Sequence, residues 1–299
     1  MMAAAHPLFV LAHAKVNFSL DVLSKRPDGY HELASIMQTV ALHDTLRLTP
    51  TRDGAITCVT DQQALNTPLN LAMRAAYLLH STVEDDALGV DIELRKNVPV
   101  QAGLGGGSSD AAAVLTALNC LWRLHYPVAR LEQLGAELGS DVPFFVRGGT
   151  ALVEGRGERV SPLPDAEALW LLLVKPAVDV PTGEVFRRLA PDHYTSGAHS
   201  HALATAVRRE RSLPFEHFHN ALEPAVAAAY PAVEAAREAM RAAGAPAAYL
   251  SGSGPTLFSP FRSLLEARDV FLRVRAADLT AWLTHTVTRA TATDSNYTT

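Results

Sequence analysis

The chain has 299 residues, 48% of them hydrophobic, with 26 basic against 31 acidic side chains and a formal net charge of −5 at pH 7. That length suffices for two domains with real cores, and the acidic balance lacks the basic footprint of a nucleic-acid binder. The longest unbroken apolar run, residues 168–174, falls far short of the roughly 20 residues that a membrane-spanning helix needs.

The opening segment carries no positive charge ahead of its apolar stretch and is broken by His6 and Pro7. It does not read as a secretory signal, and a cytoplasmic chain is expected. Residues 8–23 favour extended structure, Pro27-Asp28-Gly29 supplies turn chemistry, and residues 33–48 form a second β-like stretch, which together predict a long hairpin. Residues 54–60 form a third strand candidate, and residues 70–80 carry apolar side chains at helical spacing. Residues 90–94 alternate apolar and polar as a half-buried strand does, then run into a glycine-rich loop that opens a helix over 110–122. A helix over 128–138 stops at Gly139, and Ser140-Asp141-Val142-Pro143 has the signature of a helix start. A strand over 150–154 follows, and the proline-containing stretch 161–165 is the expected domain boundary.

The second half begins with a buried strand over 169–174, continues with helices over 183–189, 222–230 and 232–243, and adds a strand over 256–259 and a helix over 264–276. The fold class expected is α+β in two lobes, residues 1–160 and 161–285, with 286–299 a polar flexible tail. Cys58 and Cys120 lack any disulfide or zinc-ligand spacing and are expected to be core residues.

The strongest chemical signal is the loop Gly103-Leu104-Gly105-Gly106-Gly107-Ser108-Ser109. Glycines ahead of a helix let phosphate oxygens approach exposed backbone N–H groups at the positive end of the helix dipole. The spacing is neither a Walker A nor a dinucleotide fingerprint. The Ser109 hydroxyl would either cap the helix or help to ligate Mg²⁺. Lys15 and Asn17 lie two residues apart on the first strand, and Lys15 is one of few lysines in a chain otherwise rich in arginine. Asp141 sits at a helix start, and Tyr30-His31 lies beyond a turn. Ser251-Gly252-Ser253-Gly254 is a tight turn that could form a second anion nest.

In this order, Ala14-Lys15-Val16-Asn17, the stretch Pro99-Val100-Gln101-Ala102-Gly103-Leu104-Gly105-Gly106-Gly107-Ser108-Ser109 and Ser251-Gly252-Ser253-Gly254-Pro255-Thr256 resemble the three motifs of the GHMP kinases. The Arg26–Leu33 and Gly139–Phe145 stretches are similar to the branch that acts on a cytidine diphosphate-linked methylerythritol. The resemblance covers nearly the whole chain and implies an active site in the cleft between two lobes. It implies ATP-dependent phosphorylation of the 2-hydroxyl of 4-diphosphocytidyl-2-C-methyl-D-erythritol, on the route to isoprenoid precursors, with Mg²⁺ as cofactor and metal ligands unknown. Lys15 and Asp141 would be the catalytic pair. Residues 99–109 would wrap the triphosphate, with Asn70 and Lys96 near the adenosine. Asn17, Tyr30, His31, Thr182 and Phe186 would line the substrate site. Other GHMP kinases, acting on homoserine, mevalonate or a sugar, share the three motifs, and a non-catalytic nucleotide binder would have lost Lys15 or Asp141. Asn220-Ala221 departs from an Asn-Asp pair common in the family, as Gln101-Ala102 departs from the small residues frequent there. The expected assembly is a monomer or homodimer, with no nucleic acid and no membrane as partner.

Overall fold

The computed structural model describes residues 6–294. Residues 1–5, in the opening segment, and 295–299, at the end of the expected tail, lie outside it. The hairpin read from the sequence is the frame: β1 (Leu8–Lys25) and β2 (His31–Thr51) pair antiparallel from Leu8↔Leu48 to Lys25↔His31. The turn closes where the Arg26 N–H donates to the Tyr30 carbonyl and Asp28 accepts from the Tyr30 N–H. Along β1, apolar Ala14, Val16, Phe18, Leu20 and Val22 alternate with polar His13, Lys15, Asn17, Ser19 and Asp21, and all ten are buried. A strand with one polar set should leave that set in water. Here it is covered instead: Lys15 and Asn17 line the cavity that holds the site, while Ser19 and Asp21 bond to Ser200.

The rest of the first half builds around this pair. β3 (Ile56–Thr60), α1 (Leu71–His80) and β4 (Gly89–Arg95) precede the glycine loop, and α2 (Gly106–Leu121), α3 (Val128–Leu138), α4 (Val142–Arg147), β5 (Thr150–Gly155) and β6 (Arg159–Pro162) follow it. One end of β2 pairs with β4 through residues 45–51, and the other pairs with β5 through residues 33–38. The alanine-rich α2 and α1 pack on the sheet with Leu46, Leu48, Val90 and Ile92 in one core.

The second half holds β7 (Trp170–Val174), α5 (Thr182–Arg187), α6 (Ala198–Glu210), β8 (His219–Asn220), α7 (Glu223–Ala229), α8 (Pro231–Ala242), β9 (Tyr249–Leu250), β10 (Leu257–Phe261), α9 (Leu264–Ala276), β11 (Ala281–His285) and α10 (Arg289–Asp294). Its four-stranded sheet has the order β11-β7-β10-β9. The two-residue β8 pairs parallel with β1 at Ser19↔His219 and Leu20↔Asn220, so it belongs to the seven-stranded sheet of the first half. The architecture is α+β with two sheets. Among the described residues, no helix is long and apolar enough to cross a membrane.

Several expectations need correction. Helix α2 starts four residues before Asp110, at Gly106, after a left-handed Gly105. Cys120 is exposed rather than buried, and Cys58 is only partly covered. The stretch 161–165, where the boundary was expected, completes β6 and buries Leu163, whose N–H donates to the Thr150 carbonyl, and β7 of the second sheet follows it. The segment read as a flexible tail is tied down at its start. The Val287 N–H donates to the Thr39 carbonyl, the Arg289 guanidinium donates to the carbonyls of Thr150 and Leu163, and helix α10 follows.

His13 gives the fold a pH dependence. Burial first, and then the neighbouring His43, push its imidazole down to about 4 from an ordinary 6.5. The unfolded chain takes up that proton near pH 6.5 while the folded chain resists until about pH 4, so this contribution is whole above that window and is lost as pH falls through it. It amounts to about 3 kcal/mol at most. His13→Gln is therefore expected to flatten the acid side of a plot of melting temperature against pH.

Candidate active site

The glycine loop gains its shape from left-handed residues at alternate positions: Gln101, Gly103 and Gly105 have φ of 51°, 74° and 72°. Such a backbone turns successive N–H groups toward one concave side, and the first turn of α2 adds its own unpaired N–H groups. The glycines are also required by close packing. A Cβ on Gly103 would lie 2.2 Å from the Ser251 carbonyl oxygen, and one on Gly105 would lie 2.6 Å from the Phe145 ring. The loop and the Ser251–Gly254 turn are thus pressed together, with the Ser251 hydroxyl donating to the Gly103 carbonyl. The Asn220 amide holds that turn by donating to the carbonyls of Leu250 and Gly252. Asn220, the member of the family pair that is kept while Ala221 replaces the acid, thus has a positioning role; its signal in the sequence was a lone asparagine ahead of a helix.

Lys15 lies at the foot of this loop. The ladder between β1 and β2 shifts register between His13 and Lys15, which frees the Lys15 N–H to donate to the Leu104 carbonyl at 3.0 Å. Its buried ammonium donates to Asn17 Oδ1 at 2.7 Å and lies 3.6 Å from Asp141 Oδ2. Asp141 occupies the N-cap position of α4, yet its carboxylate caps nothing, which leaves it to face Lys15 from a partly open position. Both line a cavity of about 800 Å³ that reaches from the glycine loop to the turn between β1 and β2.

At the glycine-loop end, the cavity is bordered by Asn70, Lys96, Pro99, Val100, Gln101, Ala102, Gly103, Gly105, Gly106, Gly107 and Ser108. Two of the expected residues are not on its wall. Leu104 is wholly buried in the core, offering only its carbonyl to Lys15. Ser109 is also buried, and its hydroxyl donates to the His13 carbonyl at 2.6 Å, so it neither caps the helix nor points its proton-bearing oxygen at phosphates. The helix begins earlier than expected, which carries Ser109 past the exposed first turn. Asn70 caps α1, accepting from the Ala72 N–H and donating to the Leu65 carbonyl. Lys96 is held in a buried trio, with its ammonium bonded to Asp44 and, at 2.6 Å, to Asp110. Burial alone would lower the Lys96 pKa, but Asp110 and Asp44 outweigh it and hold the ammonium above its ordinary value. Burial and the nearby Asp44 push Asp110 up to about 8, against the pull of Lys96. This trio locks the entry of α2 onto β2 beneath Gly106, and sequence reasoning missed it because its members lie far apart in the chain.

The other end is aromatic. His31 is buried against Phe186 at a ring separation of 5.3 Å and against Tyr194 at 6.1 Å. Tyr30 is 52% exposed, with the Arg156 guanidinium 5.3 Å from its ring centroid. The Thr182 and Ser253 hydroxyls share a hydrogen bond of 2.8 Å across the cavity. Asn17, Tyr30, His31, Thr182 and Phe186 all line the same cavity, with Arg156 as an addition. Burial, followed by the charge of Lys25, holds the His31 pKa below its ordinary value, so its ring is neutral at pH 7 with one donor and one acceptor nitrogen.

A glycine-loop anion nest, a buried lysine and a carboxylate beside it are the parts of a small-molecule kinase, and comparison agrees. Residues 70–149 match the GHMP kinases N terminal domain, and residues 203–278 match the GHMP kinases C terminal domain. The chain is a GHMP kinase. A 4-diphosphocytidyl-2-C-methyl-D-erythritol kinase of Pelotomaculum thermopropionicum is 43% identical over 92% of this chain and 96% of its own length. One of Synechocystis sp. is 39% identical over 94% and 97%. A crystal structure of 4-(cytidine 5'-diphospho)-2C-methyl-D-erythritol kinase superposes with a TM-score of 0.80 at 34% identity, covering 93% of this chain and 99% of that one. A homoserine kinase from Cytophaga hutchinsonii shares the fold at a TM-score of 0.70 and 20% identity. The chain belongs to the 4-diphosphocytidyl-2-C-methyl-D-erythritol kinase family.

Proposed function

We propose that this chain transfers the γ-phosphoryl group of ATP to the 2-hydroxyl of 4-diphosphocytidyl-2-C-methyl-D-erythritol, as a cytoplasmic enzyme. The observation that carries this reading is the Lys15–Asp141 pair standing between a glycine-loop nest and a pocket walled by Tyr30, His31 and Phe186. Phosphoryl transfer passes through a loose transition state in most analyses, so alignment and charge compensation matter more than strong bases. Asp141 takes the acceptor's proton as the new P–O bond forms and the bond to ADP breaks. Lys15 orients Asp141 and offsets charge on the transferring group. The N–H groups of residues 100–108 hold the phosphates. Tyr30 and Phe186 offer flat faces to a pyrimidine, and the neutral His31 reads its polar edge.

Mg²⁺ bound with the nucleotide would neutralise phosphate charge. The donor set fits only sparsely: the Ser109 hydroxyl is engaged elsewhere, and among the described residues no group of three potential ligands could hold a metal. Mg²⁺ keeps several waters and binds largely through substrate phosphates, so the nucleotide itself would supply most of its ligands, and Asp141 is kept for the proton. We divide the work between residues 1–160, for ATP, and residues 161–285, which close the substrate side.

The test is ADP release with Mg-ATP and this acceptor, beside homoserine, mevalonate and galactose. Turnover on the cytidine acceptor alone is expected. Turnover on a control instead would overturn the substrate assignment and leave the kinase chemistry standing. A pH series adds a second readout. With its pKa held below the ordinary histidine value by burial and Lys25, His31 is neutral at pH 7, so KM for the acceptor should be flat across pH 7 and rise only on the acid side of the ordinary histidine range. A rise centred above pH 7 would remove His31 as the reader.

A further inference from the structure

Lys15 stands on a chain of hydrogen bonds in which each direction is fixed by chemistry. An ammonium only donates, so Asn17 must present Oδ1 to it, at 2.7 Å. The amide's other end then faces Ser35, with Nδ2 donating to Oγ at 2.8 Å. Ser35 accepts that bond and must send its own proton elsewhere, and it donates to the Ser19 carbonyl at 2.6 Å. That pattern follows from a second register shift in the β1/β2 ladder, between Asn17 and Ser19. The Ile36 N–H correspondingly takes the Ser19 hydroxyl at 3.1 Å, so side chains stand in where ladder bonds are displaced. Beyond Ser19 the chain runs through Ser200 to Asp21, whose carboxylate also accepts from Thr195. Lys15, Asn17, Ser19, Ser35, Ser200 and Asp21 are all buried.

We propose that Ser35 is a positioning residue for Lys15, acting through Asn17, in the phosphoryl transfer proposed above, on which this inference rests. The Ser35 hydroxyl decides which way the Asn17 amide points. Without it, Nδ2 is a buried donor without an acceptor, an arrangement that the amide is driven to escape. The amide then rotates to find another partner, and its oxygen leaves Lys15. The ammonium loses its anchor and shifts relative to Asp141. A misplacement of about 1 Å near the reacting atoms costs on the order of 100-fold.

Ser35→Ala is expected to lower kcat by about 10- to 100-fold while KM for both substrates stays within about threefold. Ser35→Thr, which keeps the hydroxyl, should restore most of the rate. In an Asn17→Ala background, adding Ser35→Ala should change kcat by less than about twofold, because the pathway is already cut. Independent, multiplying effects would overturn the proposal, since they would mean that Ser35 acts on the site by another route. A readout free of any acceptor is nuclear magnetic resonance of ¹⁵N-labelled lysine, with only four lysines in the chain. Ser35→Ala should remove or shift the slowly exchanging ammonium signal of Lys15 while that of Lys96 persists as an internal standard. An unchanged Lys15 signal would also overturn the proposal. If the wild-type enzyme prefers another acceptor, the substrate reading fails, while the resonance and the double-mutant cycle on that acceptor still judge Ser35.

Discussion

Asp141→Asn is expected to lower kcat by about 10³-fold, within the range that general acid–base groups contribute, while leaving nucleotide affinity within about threefold. The substitution keeps the shape of the side chain and removes its capacity to take a proton. It also takes away the counter-charge that lies 3.6 Å from the Lys15 ammonium. The carboxylate makes no capping bond to α4, so folding should barely notice the change. Steady-state ADP release together with calorimetric nucleotide binding checks both halves. A variant within tenfold of wild-type kcat would strip Asp141 of the base role.

The second large effect is expected at Gly103. An alanine there would need φ near +74° and would place its Cβ 2.2 Å from the Ser251 oxygen and 3.0 Å from that of Gly254. Neither obstacle is a flexible side chain, so two backbone segments must part. Three bonds cross or brace that seam: the Lys15 N–H to the Leu104 carbonyl, the Thr256 N–H to the Ala102 carbonyl and the Ser251 hydroxyl to the Gly103 carbonyl. Gly103→Ala should therefore cost about 3 kcal/mol of stability and raise KM for ATP at least about tenfold. Gly183 is the control for stability, since a Cβ there meets nothing within 4 Å. Gly183→Ala should melt at or slightly above the wild-type temperature. A Gly103→Ala protein that melts with wild type would show that the seam yields without cost.

Much of this was legible in the chain because the relevant signals were local. The hairpin, α3 and α9 announced themselves by turn residues and periodicity, and the glycine loop by its composition. Helix α6 went unread although its buried side chains, Ser200, Leu203, Ala204 and Val207, follow helical spacing. One of the inward positions is a serine that serves the polar network and another is a small alanine, so the apolar stripe is thin. The two-residue β8 is too short to have a period, and α2 begins on two glycines that propensity counts against a helix. At the site, Lys15, Asn17 and Asp141 were readable, as was the aromatic wall. Ser35, Asp44, Asp110 and Arg156 were not, because each acts through a partner that only the fold brings near. The polar residues His13, Lys15, Asn17, Ser19 and Asp21, interleaved with apolar ones along β1 and all buried, were the overlooked clue.

The ties between Thr39, Thr150 and Leu163 and residues 287–289 have a bearing on biosynthesis. The first sheet receives β8 from residues 219–220, and its far end is fastened by the Arg289 guanidinium, 139 and 126 residues further along the chain than the carbonyls it binds. The amino-terminal half therefore cannot complete its own structure while it is the only part translated. Domain-by-domain folding, common for chains of this size, gives way to a closing event that waits for residues 287–289. Nascent chains stalled before residue 289 should remain protease-sensitive across both halves, and the gene should tolerate splitting at 160 poorly even though the ATP loop lies wholly on one side of the cut.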